Sequence, residues 1–222
     1  MKLSDQTLTV LKNFATINPS VVFKPGSELR TISPQKTVMS VAEVPDEFPI
    51  QACVYDMSRF LSMCSLYENP EIDFQDNKVC YIRDGKRKTK YVFADISMVI
   101  VPPEKEIIIP SEDVNVDVEW DDIQSVLKAA GVLNLPEIAF VGRDGICYIS
   151  AVDSANPTAD SHEIEIGKTD DTFQLVIKTE NLKLLPQKYN VTLCSKGISK
   201  FEGDKIKYFI AIESKSTYKK GN

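Results

Sequence analysis

Val10-Leu11-Lys12-Asn13-Phe14-Ala15-Thr16-Ile17-Asn18 returns 116 residues later as Val126-Leu127-Lys128-Ala129-Ala130-Gly131-Val132-Leu133-Asn134, with valine, leucine, lysine and the closing asparagine retained. Both stretches read as amphipathic helix. At about 100° per residue, a helix from about Ser4 to Phe14 gathers Thr7, Leu8, Val10, Leu11, Phe14 and Ala15 on one arc, with Asp5, Gln6, Thr9, Lys12 and Asn13 opposite. A helix from about Trp120 to Ala130 gathers Trp120, Ile123, Val126, Leu127 and Ala130, with Asp121, Ser125 and Lys128 facing away. Each helix therefore carries a lysine at the same point of its polar face. A looser echo relates Val54-Tyr55-Asp56 to Leu61 with Val176-Ile177-Lys178 to Lys183 at an offset of 122. Two offsets this close predict a duplicated unit of about 110 residues.

The second echo supplies two more helices: one over about Asp56 to Leu66, with Met57, Phe60, Leu61, Met63 and Cys64 on its apolar side, and a shorter turn over about Thr179 to Leu185, ended by Pro186. The rest is short alternating strand. Lys78 to Arg83 and Lys88 to Phe93 flank Asp84-Gly85 as a hairpin, and Glu137 to Val141 and Ile146 to Ser150 flank Arg143-Asp144-Gly145 as another. Phe173 to Lys178, Tyr189 to Cys194 and Lys207 to Glu213 add further strands. Val101-Pro102-Pro103 through Ile109-Pro110 cannot continue a helix or donate to a central ladder, so it reads as an extended connector. The prediction is an α+β chain of two domains, residues 1–109 and 110–222, each with two helices on antiparallel sheet.

Composition narrows the chemistry. The 222 residues hold 26 Lys+Arg against 32 Asp+Glu, a formal charge of −6, with 43% hydrophobic residues. That balance excludes a disordered, collagen-like or disulfide-stapled chain. No apolar run approaches the ~18 residues of a membrane span, and the N-terminus lacks the apolar stretch of a signal peptide, so a mature cytoplasmic protein is expected. The five cysteines never occur as C-x-x-C and read as buried reduced thiols. The single histidine, His162, cannot build a multi-histidine metal site, and no phosphate loop, dinucleotide fingerprint or nucleophile elbow is present. Asp121 and Asp122 read as first-turn acids favoured by the helix dipole. Neither an enzyme nor a metal or cofactor site is expected.

With MKLS and Leu11-Lys12-Asn13-Phe14-Ala15-Thr16-Ile17-Asn18 at one end, Val54-Tyr55-Asp56 running into Phe60-Leu61, and Lys200-Phe201-Glu202-Gly203-Asp204 with Tyr208 to Thr217 at the other, the chain resembles the DNA polymerase sliding clamps of T-even-type bacteriophages. The resemblance runs the length of the chain, strongest at both ends and poor from about Tyr67 to Val118. It implies a DNA-clamp fold in which three two-domain subunits close head to tail into a six-domain ring. Helices would line the hole, sheets would form the wall, duplex DNA would thread the centre, and the replicative polymerase would be tethered by its C-terminal peptide. An ATP-driven clamp loader would open and close the ring, in the cytoplasm of the infected bacterial host.

An acidic chain binds a polyanion only if its cations are sorted to one surface. At physiological salt the Debye length is ~8 Å, so acids on an outer wall are screened at the hole and the helix-borne cations decide the local field. The expected DNA-facing set is Lys2, Lys12, Arg59, Lys128, Lys178 and Lys183, with Lys188. The resemblance points to Ile107, Ile108, Ile109 and Pro110 of the connector, with Tyr208, Phe209 and Ile210 of the last strand, as an apolar pocket for a partner peptide. The basic run Lys86-Arg87-Lys88-Thr89-Lys90 departs from the family pattern and reads as an exposed hairpin edge. Two other classes remain to be weighed: a β-rich ligand-binding module without a nucleic-acid role, and a hydrolase using Glu119, Asp121 and Asp122.

Overall fold

In a computed structural model describing residues 1–156 and 158–221, the chain divides into two units, Met1–Lys105 and a second opening at Glu106, a few residues ahead of Ile109. In the first unit, α1 (Asp5–Ile17) is followed by β1 (Val21–Phe23), β2 (Gly26–Ile32), β3 (Val38–Phe48), β4 (Ala52–Val54), α2 (Met57–Cys64), β5 (Glu71–Phe74), β6 (Val79–Asp84) and β7 (Arg87–Val92). All pairing is antiparallel: β1 with β4, β2 with β3, and β5-β6-β7 in order. The helix α1 packs on β2 and β3 and against α2. Beneath them Phe23 stacks on Phe48 at 4.3 Å, with Phe60 and Phe74 edge-on to Phe23. Leu11, Phe14, Met57 and Phe60 are fully buried, each worth about 1.5–3 kcal/mol of transfer free energy. The apolar arcs therefore decide which face of each helix meets sheet.

The second unit holds β8 (Val114–Val118), α3 (Trp120–Leu133), β9 (Glu137–Arg143), β10 (Ile146–Val152), β11 (His162–Lys168), β12 (Thr172–Lys178), β13 (Tyr189–Cys194), β14 (Ile198–Glu202), β15 (Ile206–Ala211) and β16 (Thr217–Lys219). One antiparallel sheet runs β11-β10-β9-β12-β16; in the other ladder β13 lies between β8 and β14, and β14 pairs with β15. The helix α3 packs on β9, β10 and β11. Both expected hairpins form. Asp144 and Gly145, both at positive φ, make the two-residue loop between β9 and β10, the backbone twist that matches paired strands. The first hairpin turns one residue later than its Asp-Gly dipeptide suggests: Asp84 pairs with Arg87 and the loop is Gly85-Lys86.

One expected helix is absent. Thr179 to Leu185 contains only a single 3-10 turn, Thr179–Asn181, so among its described residues the second unit has one α-helix where two were predicted. The backbone groups a helix would use are taken elsewhere. Lys183 N donates to Asn181 O at 3.0 Å across Leu182, whose φ of −83° and ψ of 59° is that of an inverse γ-turn. Two buried tyrosines then satisfy Leu185: its N–H donates to Tyr208 Oη at 3.2 Å, and its carbonyl accepts from Tyr189 Oη at 2.7 Å. Leu182 and Leu184 alternate into the core while Lys183 stays outside. All five cysteines are free and buried.

Candidate nucleic-acid interface

Each of α1, α2 and α3 begins at a residue with extended backbone. Ser4 caps α1, its Oγ accepting from Thr7 N at 3.2 Å, and Asp56 caps α2 by accepting from Arg59 N at 2.9 Å. Glu119 precedes α3 without a side-chain cap bond, and Asp121 and Asp122 sit in its first turn. The two repeat-related helices stop at the matched asparagines. Asn18 is the C-cap of α1, its N–H donating to Phe14 O; Asn134 is the C-cap of α3, its N–H donating to Ala130 O from a left-handed conformation. Lys12 and Lys128 therefore stand the same number of residues ahead of their helix ends. Both are exposed, on the side away from the strands their helices cover. Lys128 Nζ donates to Gln124 Oε1 at 2.9 Å, one turn back along α3.

The other expected cations fall into two groups. Arg59 is exposed in the first turn of α2. Lys178, at the end of β12, and Lys183 flank the 3-10 turn and are exposed, so one projects from a strand end and the other from loop, neither from a helix. Lys2 and Lys188 already face carboxylates. Lys2 lies 3.7 Å from Glu71. Lys188 is 3.0 Å from Glu119 and 3.4 Å from Asp117, which hold its ammonium above the ordinary lysine range. A phosphate would have to compete with those acids.

The partner-peptide set is corrected by burial. Tyr208 and Ile210 are fully enclosed: Tyr208 lies edge-on to Tyr189 at 6.1 Å and accepts from Leu185, so neither residue is available to a ligand. Phe209 keeps 7% of its surface. In the connector Ile108 is 83% exposed, and Ile107 and Ile109 are half-buried. Glu119, Asp121 and Asp122 form no cluster: among the described residues, no group of three or more His, Cys, Asp or Glu is placed to hold a metal ion. Sequence reasoning missed the cations of the connector, Lys24 and Arg30. Lys24 lies between β1 and β2 and Arg30 on β2, and they meet Glu104 only through folding, so no local signal points to them.

The family profile described as "DNA polymerase processivity factor" matches residues 3–101, and that described as "gp45 sliding clamp, C terminal" matches residues 115–214. The sliding clamp of Vibrio phage KVP40 is 37% identical over 221 residues, covering 96% of this chain and all of its own. The chain belongs to the phage sliding-clamp family. The sliding clamp of Enterobacteria phage T4 is 30% identical over 227 residues, covering 98% of this chain and 99% of that one. The fold is shared more widely. PCNA of A. fulgidus, solved with the C-terminal region of FEN-1, superposes with a TM-score of 0.69 at 13% identity, over 94% of this chain and 95% of that one. The sliding clamp DnaN of Bartonella birtlesii, a DNA polymerase III subunit beta, gives 0.71 at 11% identity, over 96% of this chain and 64% of that one. The chain is a DNA sliding clamp with the α+β clamp fold, and a ligand-binding module is not favoured. Sliding clamps and processivity factors are accessory proteins rather than catalysts. In this clamp no helix among the described residues is long and apolar enough to cross a membrane.

Proposed function

We propose that three copies of this clamp close head to tail into a six-domain ring around duplex DNA, and that the ring tethers the replicative polymerase without an active site, metal or cofactor of its own. The domains of the proposal are residues 1–109 and 110–222. Its principal DNA contacts are Lys12, Arg59 and Lys128, supplemented by Lys178 and Lys183, with Lys2 and Lys188 lesser contributors because acids already face them. The matched, exposed placement of Lys12 and Lys128 on two helices whose other sides meet sheet is the observation that carries this reading. Three copies of few, long and flexible cations make weak, sequence-blind phosphate contacts, and such contacts permit sliding. Retention is then topological.

The polymerase's C-terminal peptide docks on Ile107, Ile108, Ile109 and Pro110, with Phe209 as the residue of β15 that keeps some surface. An ATP-dependent clamp loader opens the ring, and the whole operates in the cytoplasm of the infected host. Light scattering combined with retention on circular DNA tests the core of the proposal. Three subunits per particle, stable retention on a nicked circle and rapid release when that circle is linearised are expected. A monomer, or retention indifferent to linearisation, refutes it.

A further inference from the structure

From Val99 to Asp113 the chain has no helix or strand, yet its middle is held. Arg30, on β2, donates from Nη1 to the carbonyl oxygens of both Pro103 and Glu104 at 2.9 Å. Glu28 orients the guanidinium, its Oε1 accepting from Nε at 2.6 Å. Lys24 closes the clasp from the other side with a 2.6 Å ion pair to Glu104, and Pro102 is buried. Both basic side chains are largely withdrawn from water, at 21% and 31% exposure, whereas Glu104 stands 81% exposed. Beyond the buried Pro102, the hold on Pro103 and Glu104 is therefore through their backbone carbonyls and one carboxylate.

We propose that Arg30 is a positioning residue for the polymerase-peptide site, acting through Pro103 and Glu104 to keep the connector in place. The inference rests on the reading of Ile107 to Pro110 as peptide contacts. Nη1 gives both carbonyl bonds while Glu28 holds the planar guanidinium through Nε, and a lysine's single ammonium centre has no second nitrogen by which Glu28 could fix it. With the clasp closed, the segment free to fluctuate begins at Lys105 rather than directly after the buried Pro102. A flexible chain's dimensions grow as the square root of its length, so the volume explored by Ile108 contracts. A segment already ordered gives up less freedom when a peptide docks on it.

Lys105 is exposed beside the clasp and provides a readout independent of the peptide: tryptic nicking after Lys105, mapped by mass spectrometry. Arg30→Met, Lys24→Met and Arg30→Lys rings are compared with wild type for nicking rate, for affinity toward a synthetic peptide copying the polymerase C-terminus, and for subunit count and melting midpoint. Arg30→Met is expected to nick about fivefold faster and to bind the peptide about tenfold more weakly, with subunit count and midpoint unchanged. Lys24→Met shifts both in the same direction by less, and Arg30→Lys restores neither fully. Wild-type nicking and affinity in Arg30→Met overturn the proposal, as does faster nicking with unchanged affinity. A wild-type ring that does not bind the peptide overturns the pocket itself, and with it the role given to Arg30.

Discussion

The carboxylate of Asp46, on β3, receives two hydrogen bonds from Ser4, one from its backbone N–H at 2.8 Å and one from its hydroxyl at 2.7 Å. Thr7 Oγ1 donates to the same oxygen. The cap of α1 is thus a tertiary device: Ser4 serves Thr7 locally while Asp46 anchors both to the sheet. Burial by itself would raise the Asp46 pKa, but the bonds from Thr7 and Ser4 outweigh it and hold the carboxyl below its ordinary 3.8.

Asp46→Ala is expected to destabilise the fold by about 1–3 kcal/mol, measured by urea unfolding at neutral pH. A depressed folded-state pKa means that this stabilisation is present above about pH 4 and is lost as pH falls through the folded value. The gap between wild type and Asp46→Ala should therefore narrow below pH 3.8. A gap constant from pH 7 to the acid limit would show that the carboxylate's charge contributes nothing.

Lys12→Glu and Lys128→Glu are expected to weaken DNA association of the ring to similar extents, because the two residues share one position in repeated helices. Because each substitution occurs three times in the ring, losing one phosphate contact per copy should reduce the slope of log K against log salt by about 2.7, three times the ~0.9 of a single contact. Lys188→Glu should have the smallest effect, since Glu119 and Asp117 already hold that ammonium. Fluorescence anisotropy over a salt series checks all three, and a Lys188 effect as large as that of Lys12 contradicts the sorting.

Tyr189→Phe removes the donor to Leu185 O, and Tyr208→Phe removes the acceptor from Leu185 N–H. Both hydroxyls serve the segment that replaces the expected fourth helix. Each change should cost about 1–2 kcal/mol in chemical unfolding. Amide exchange in residues 182–185 should rise more than in β9 or β12, and uniform exchange across the unit would contradict a local role.

The cysteines are expected to be silent toward a charged disulfide reagent at pH 8 in the native clamp and to react fully in denaturant. Burial pushes the thiols of Cys64 and Cys147 up to about 11 and that of Cys80 up to about 12, leaving little thiolate. Fast native labelling at any of the three would contradict their enclosure.

Much of the helical and hairpin pattern was legible because it is written at short range. The spacing of Val10, Leu11 and Phe14 against Lys12 prescribes a helix and the side it buries, and Asp144-Gly145 prescribes a loop with two positive φ angles. The fourth helix misled because Thr179 to Leu185 has acceptable helical periodicity, while its outcome depends on Tyr189 and Tyr208 reaching back to Leu185. Alternation in Lys207 to Glu213 marked a strand correctly and set Tyr208 and Ile210 on the face opposite Lys207, but that pattern is the same for core side chains and for the wall of a pocket. A strand covered on both faces and one covered on a single face can share the same local pattern.

Alone, the residues of this chain determined a duplicated α+β design, with lysines at equivalent points of two amphipathic helices, since helical and strand periods are properties of neighbours in sequence. Folding decided which charges remain available and which are engaged: Lys12 stays open to solvent, Lys188 meets Glu119 and Asp117, and Arg30 closes on Pro103 and Glu104. Electrostatic and hydrogen-bond partners are chosen by distance in space, and that distance exists only once the sheets have formed.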